Sequence, residues 1–445
     1  MTKDLTEGKP LKLIWLFSLP VIGGNLFQLF YTIADTIIVG QTIGEKALSA
    51  VGSTTVIIYF ILVFIQGLTS GFAILLAQSF GLKDKNGVKK SIVSAIYLSL
   101  GISLILTAIT LPLCRLMIHW MMIPDEISGD AYSYLFIVLA GTITTVFYNM
   151  ISNTLRALGD SRLPLIYLIL SSLLNIVLDY VLIVFCNMGV SGAAAATIIS
   201  QLIAAVMSFA SSIKRYEEMK IERKLWNIDI ENIVSHLKLG MLMGMQMSVM
   251  CIGQLVMQAS VNSLGTTAIA GYTAATKVDQ LGVLVNNAFV TSIAAYAAQN
   301  YGAHRIDRIK QGVNASLLIV ESCAIIMALL IFMVEPLIVP LFVNNPTAEI
   351  FSYARDYFIV VLPFYPMLGL LVIYRTTDQA MNLTWVPLAA CLAELLARCT
   401  SAILLARIAG YKGIAFSHPL AWCSACLIVI PAYYCYMKKI NQKMH

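Results

Sequence analysis

Stretches of twenty or more residues with almost no charge recur from one end of this 445-residue chain to the other. Each is long enough for a helix to cross a hydrocarbon core of about 30 Å. Twelve are present: residues 12–38, 47–80, 91–118, 131–155, 163–186 and 190–213, then 233–262, 267–300, 311–334, 351–374, 384–408 and 412–437. A lipid-facing segment must satisfy its own backbone hydrogen bonds, and these runs lack the roughly ten-residue alternation of a barrel strand, so they are read as helices. The longest must tilt or protrude. Charged residues are 12% of the chain and apolar ones 59%, where a soluble domain carries roughly 25% charge. The expected fold is therefore an all-α integral membrane protein of twelve transmembrane helices.

The first run follows a charged start, MTKDLTEGKPLK, but it is too long for a signal peptide's apolar region and contains Pro20, so it is read as a retained helix. All nine cysteines lie in or beside apolar segments. Cys423 and Cys426 form a C-x-x-C with no second ligand pair, which points to packing and not to zinc or a disulfide.

Basic residues set the orientation. Connections on the side of the amino terminus hold Lys3, Lys9, Lys12, Lys83, Lys85, Lys89, Lys90, Arg156, Arg162, Lys214, Arg215, Lys220, Arg223, Lys224, Arg305, Arg308, Lys310, Arg375, Lys438, Lys439 and Lys443. The opposite side holds Lys46, Arg115, Arg355, Arg407 and Lys412. Both termini are thus expected in the cytoplasm, with the chain a multi-pass protein of the cell membrane. The formal net charge of +6 is a topology signal, and no nucleic-acid partner is expected.

KRYEEMKIERKLWNIDI, at 214–230, interrupts the apolar pattern at the midpoint. It divides an N-lobe (1–216) from a C-lobe (231–445), with 217–230 as a cytoplasmic linker. The halves answer each other at an offset of 221: AQSFG at 77–81 and AQNYG at 298–302, GEKALSA at 44–50 and GTTAIAG at 265–271, GVSG at 189–192 and GYKG at 410–413. Six helices repeated in the same order predict two six-helix bundles related by a pseudo-twofold along the membrane normal, with a cavity near the midplane and alternating access by rocking.

Features shared by the copies maintain the fold; ionisable residues present in one copy alone point to function. Asp35 corresponds to Val256, and Asp179 to Thr400, or to Ala402 if Pro164 is aligned with Pro387. A carboxylate at membrane depth costs several kcal/mol unless protonated, hydrated or paired. Asn175 lies one helical turn before Asp179 on the same face, and Thr197 on the next helix adds a hydroxyl. Two carboxylates, an amide oxygen and a hydroxyl form a hard oxygen set that takes up a proton or a Na+ ion; no other metal or cofactor is expected. The competing reading is a polar knot between helices.

Glu394 and Arg398, at i and i+4, are expected to neutralise each other. Lys277 and Asp279 are two residues apart and face different ways, so either is a candidate for the cavity. Glu321 has no evident partner in sequence. MLMGMQMSVMCIGQLVMQ, at 241–258, is rich in methionine, with Met243, Met247 and Met250 on one face and Gln254 and Met257 as further cavity candidates. Flexible thioethers suit varied apolar shapes, although a packing stripe explains them as well. Tyr31 lies one turn before Asp35, and Tyr134 and Asn149 lie along one further span; aromatic faces beside a carboxylate favour organic cations.

The early ADTIIVG followed by G-x-x-A-L-x-A, the AQ-x-x-G closing the second span, RALGDSRLP at 156–164 and the six-plus-six repeat together resemble the multidrug and toxic compound extrusion family, the MATE transporters, over roughly residues 10–440. The resemblance implies a secondary antiporter that exports amphipathic, cationic compounds in exchange for H+ or Na+, working as a monomer among membrane lipid. It resembles the prokaryotic branch with the coupling site in the first lobe, whose pattern Asp35, Asn175, Asp179 and Thr197 match. Tyr31, Tyr134 and Asn149 match polar positions around the same cavity, and Pro20 matches a first-helix proline at which that helix bends. Proline removes one backbone hydrogen bond, which gives the hinge a physical basis. In another branch the seventh helix carries a carboxylate, where this chain offers Gln246, Gln254 and Gln258. Among the rivals, a flippase of lipid-linked precursors needs basic residues for a pyrophosphate headgroup where the first-lobe spans hold acids, and a channel needs no such repeat. An intramembrane enzyme would need an H-E-x-x-H or G-x-G-D motif, and neither is present.

Overall fold

The computed structural model describes residues 4–342 and 347–444, and among them every regular element is helical. The elements of the first half are α1 (Pro10–Thr42), α2 (Glu45–Gly81), α3 (Lys85–Trp120), α4 (Asp125–Ala140), α5 (Thr142–Ala157), α6 (Arg162–Tyr180) and α7 (Val190–Arg215). Those of the second are α8 (Ile230–Asn262), α9 (Thr266–Gly302), α10 (Ile306–Phe342), α11 (Ala348–Val361), α12 (Tyr365–Ala380), α13 (Trp385–Ala415) and α14 (Ser417–Met444). Among the described residues, eleven helical stretches are long and apolar enough to cross a membrane singly, and α4 with α5, bent by 47°, gives a twelfth if the pair is one span.

The bend falls at Gly141, where a Cβ would lie 2.4 Å from the Ile198 side chain of α7. A larger residue could not let the two helices approach so closely. The tenth span breaks at the corresponding place: α11 and α12 are separated by a short 3-10 turn, Leu362–Phe364, whose Pro363 has no N–H to give to a helix. Residue 362 lies 221 positions after residue 141.

Backbone conformation repeats at the same offset. Gly44 (φ 111°) is answered by Gly265 (φ 99°), and Lys83 (φ 59°) by His304 (φ 58°). Gly189 (φ 56°, ψ −137°) is answered by Gly410 (φ 56°, ψ −133°), which breaks α13. Left-handed backbone is costly for most L residues, so its recurrence at matched points marks one chain path used twice.

Two compact units result, one built on Leu19–Gly244 and the other on Leu5–Ser18 together with the chain from Met245 onward. Helices α1 and α8 are each divided between them. In unit 1, α2 meets the start of α8 through glycines: a Cβ on Gly67 would lie 2.5 Å from the Met243 carbonyl, and one on Gly71 would lie 2.6 Å from Gly240 Cα. The segment leading into α8 is tied to α3, where Lys90 donates to Asp229 at 3.0 Å and the Tyr97 hydroxyl donates to the Trp226 carbonyl at 2.8 Å. In unit 2 the Leu5 N–H donates to Gln299 Oε1 at 2.9 Å, and Arg308 donates to the Gly8 carbonyl at 2.9 Å.

Many of the basic residues assigned to connections from sequence lie inside the ends of helices, and two of them make side-chain contacts that sequence does not suggest. Arg156 occupies the last turn of α5 and donates to Asn153 at 3.1 Å. Arg375 is only 6% exposed, five residues before the end of α12, and pairs with Glu394. A charge at the end of an apolar run reads as water-facing unless its partner is known, and here the partner is 19 residues further on.

Candidate functional site

Asn175 and Asp179 project from one face of α6 and are almost fully buried, at 1% and 0% exposure. Directly after them the backbone widens into a single π turn, Val181–Phe185, a local distortion of the kind that often accompanies functional sites. The chain then reverses, and α7 starts after Gly189 and carries Thr197 back past Asn175. With its nitrogen toward Asp179, the Asn175 amide donates to Asp179 Oδ2 at 3.2 Å and accepts from the Thr197 N–H at 3.2 Å. Turned the other way, it donates to the Thr197 hydroxyl at 3.4 Å. That hydroxyl is anchored by its own bond to the Ala193 carbonyl at 3.1 Å.

Helix α1 supplies the other side. The Asp35 and Asp179 carboxyl groups are within hydrogen-bonding reach of each other, and the Tyr31 hydroxyl is within reach of Thr197. Two carboxyl groups in contact need a proton between them or a cation beside them, because two bare anions at that spacing repel. One oxygen of each, Oδ1 in both cases, is buried without a partner. Such hard oxygens, with a threonine hydroxyl nearby, fit a proton or Na+. No cluster of three His, Cys, Asp or Glu that would hold a transition metal occurs among the described residues.

Tyr134, on α4, packs against the cluster of Val39, Ala47, Ile183, Val190 and Ala193 and lies within electrostatic reach of both acids. Asn149, on α5, donates back to the Thr145 carbonyl of its own helix at 2.8 Å. Pro20 lies inside α1, which continues through it. Sequence reasoning brings these residues to one unit; it does not foresee the π turn, which has no composition signal.

The second-half candidates do not assemble into one group. Gln254 and Lys277 are exposed and Met257 is fully buried. Asp279 accepts a hydrogen bond from the Tyr365 hydroxyl, with Tyr357 also in reach. Gln246 accepts from Gln379 at 2.7 Å. Glu321 Oε1 is buried without a partner, pressed against Gly369. Glu394 is not simply neutralised by Arg398, as its spacing suggests: Arg375 donates to its Oε1, and Arg398 stands 3.6 Å from its Oε2. Asp378, fully buried on α12 with neither oxygen partnered, is a further acid that sequence reasoning passes over because TTDQA follows an apolar run and looks like its exit.

Two copies of a six-helix unit, one of them holding Asp35 and Asp179 where the other has Val256 and Thr400, have the architecture of a transporter built from a repeat. The chain belongs to the MatE family, whose sequence pattern it matches twice, over residues 20–181 and 243–404. It is 30% identical over 368 residues, 82% of this chain and 81% of the relative, to a probable multidrug resistance protein, YpnP, of Bacillus subtilis strain 168. It is 28% identical over 374 residues, 82% of this chain and 77% of the relative, to a probable multidrug resistance protein, NorM, of Thermotoga maritima. Its fold is similar to a solved structure described as the outward-facing conformation of a multidrug resistance MATE family transporter, with a TM-score of 0.91, 22% identity and 99% of each chain covered. The protein is thus a multi-pass membrane transporter of a multidrug efflux family and not an enzyme, and the lipid-precursor flippase is not favoured.

Proposed function

We propose that this chain is an antiporter of the cytoplasmic membrane, with both termini inside, that exports amphipathic organic compounds, cationic ones foremost, in exchange for H+ or Na+. Asp35 and Asp179 take up the coupling cation, and Asn175 and Thr197 complete its site. Tyr31, Tyr134 and Asn149 offer aromatic and polar contacts to substrate beside it. Pro20 provides the hinge by which the state of the carboxyl pair changes the shape of α1. The observation that carries this reading is the contact of two acids, Asp35 and Asp179, that the second copy of the repeat lacks.

Each elementary charge moved inward yields about 2.3 kcal/mol per 100 mV. That sustains a gradient of somewhat under a hundredfold for a neutral substrate, since each factor of ten costs about 1.4 kcal/mol. The coupling ion must also bind the two access states unequally, because equal affinity shifts no equilibrium. Expressed as a monomer in cells lacking other pumps, the protein should lower accumulation of a fluorescent organic cation, and collapse of the ion gradients should restore it. Accumulation unchanged by expression would count against the proposal.

A further inference from the structure

Unit 2 holds charge of the opposite sign at one point of its interior. The side chains of Arg375, Arg398 and Glu394 are 7%, 7% and 3% exposed, and both arginines turn toward the one carboxylate. Arg375 donates to Glu394 through one terminal nitrogen and to the weakly accepting sulfur of Met250, at 3.4 Å, through the other. Arg398 is less well met: it stands 3.6 Å from Glu394, beyond hydrogen-bond length. The Nε of each arginine is buried without a partner. Helix α8 passes Arg398 at Gly253, where a Cβ would lie 3.1 Å from its NH1, so only a glycine backbone flanks the guanidinium there.

Two guanidinium groups against one carboxylate leave a positive charge in excess. Asp378, one turn beyond Arg375, lies outside ion-pair distance of both arginines, and its oxygens have no partner. A guanidinium presents five N–H donors, and buried donors are almost always satisfied. A buried charge without full compensation is strongly unfavourable. The repeat does not require these charges either: Arg375 corresponds to Thr154, and Glu394 and Arg398 correspond to Leu173 and Val177, or to Ser171 and Asn175 if Pro164 is aligned with Pro387.

We infer that Arg398 and Arg375 form a binding site, inside unit 2, for an oxyanion: the carboxylate or phosphate group of a transported compound or of a lipid. The planar fork of a guanidinium matches both groups in two-point fashion. Glu394 is a positioning residue that turns the two forks toward each other. The Met250 thioether is the weak acceptor that an oxyanion displaces from Arg375. The site extends the compounds handled by this transporter to those bearing an acidic group. It does not depend on the role of Asp35 and Asp179, and equilibrium binding needs no ion gradient, so its failure leaves the coupling proposal standing.

The test is calorimetric titration of the full-length protein in phosphatidylcholine nanodiscs with phenyl phosphate, and with benzyltrimethylammonium as a cation of similar size. Phenyl phosphate should bind the parent at least tenfold more tightly than Arg398→Gln. Arg398→Lys, which keeps the charge without the fork, should lie between them, and the cation's affinity should change less than twofold. Thermal unfolding separates this from a purely structural tie: phenyl phosphate should raise the Tm of the parent and leave that of Arg398→Gln in place. Repeating the titration in nanodiscs containing phosphatidylglycerol identifies the source, since weakened phenyl phosphate binding assigns the site to a lipid headgroup and unchanged binding assigns it to a solute. No binding to the parent, or equal binding to parent and Arg398→Gln, overturns the inference.

Discussion

Asp160 serves two neighbours with one carboxylate. Its Oδ1 accepts from the N–H groups of Arg162 and Leu163 at 2.8 and 3.1 Å, covering orphan donors at the start of α6, while its Oδ2 accepts from the Tyr216 hydroxyl just past the end of α7. The aspartate of RALGDSRLP thus ties the start of α6 to the end of α7. Asp160→Ala should lower stability by about 1–2 kcal/mol, and Tyr216→Phe by about 1 kcal/mol, read as a fall in Tm of the purified protein with transport per folded molecule retained. Single residues were legible from sequence where lipid made them conspicuous. A lone acid in YTIADTIIVG stands out against apolar neighbours, whereas Arg375, near the end of its run, resembles an ordinary boundary charge until Glu394 is seen beside it.

Helix α2 shows how elements are matched to their neighbours. Gly67→Ala would push a methyl group into the Met243 carbonyl and Gly244 Cα, backbone atoms that cannot turn aside, at a cost of about 1–3 kcal/mol. Gly52, on the same helix with nothing within 4 Å, provides the control: Gly52→Ala should be neutral or stabilising by up to about 1 kcal/mol. Thermal unfolding of the two variants in parallel checks the difference. The segment leading into α8 adds a pH dependence. The Asn232 N–H and then the Lys90 ammonium hold the Asp229 carboxyl below the usual carboxylate range. A depressed folded value stabilises above the unfolded pKa of about 3.9 and is lost as pH falls through the folded one. Amide exchange over residues 226–232, corrected for intrinsic rates, should therefore speed up below about pH 4 in the parent and show no such step in Asp229→Asn. The helices themselves were legible because each apolar run exceeds the membrane's thickness. The bend at Gly141 was not, since its cause is Ile198, more than fifty residues away and on another helix.

Across the whole molecule, three short matches at one offset foretold the repeat, and the paired backbone conformations at Gly44 and Gly265, Lys83 and His304, and Gly189 and Gly410 follow that offset. The division of α1 after Ser18 and of α8 after Gly244 leaves no mark in hydropathy, because packing partners and not apolarity determine it. The two copies differ in the charged groups they bring together: Asp35 with Asp179 in one, and Arg375 and Arg398 around Glu394 in the other. The central claim is that the acid pair carries the coupling ion. Its most direct test is substrate transport in proteoliposomes with pH and sodium gradients imposed separately, comparing the parent with Asp35→Asn and Asp179→Asn. The parent should move substrate uphill under at least one gradient, and both variants should lose that response at least tenfold while still binding substrate at equilibrium. Gradient-driven transport at the parental rate in both variants would contradict the account.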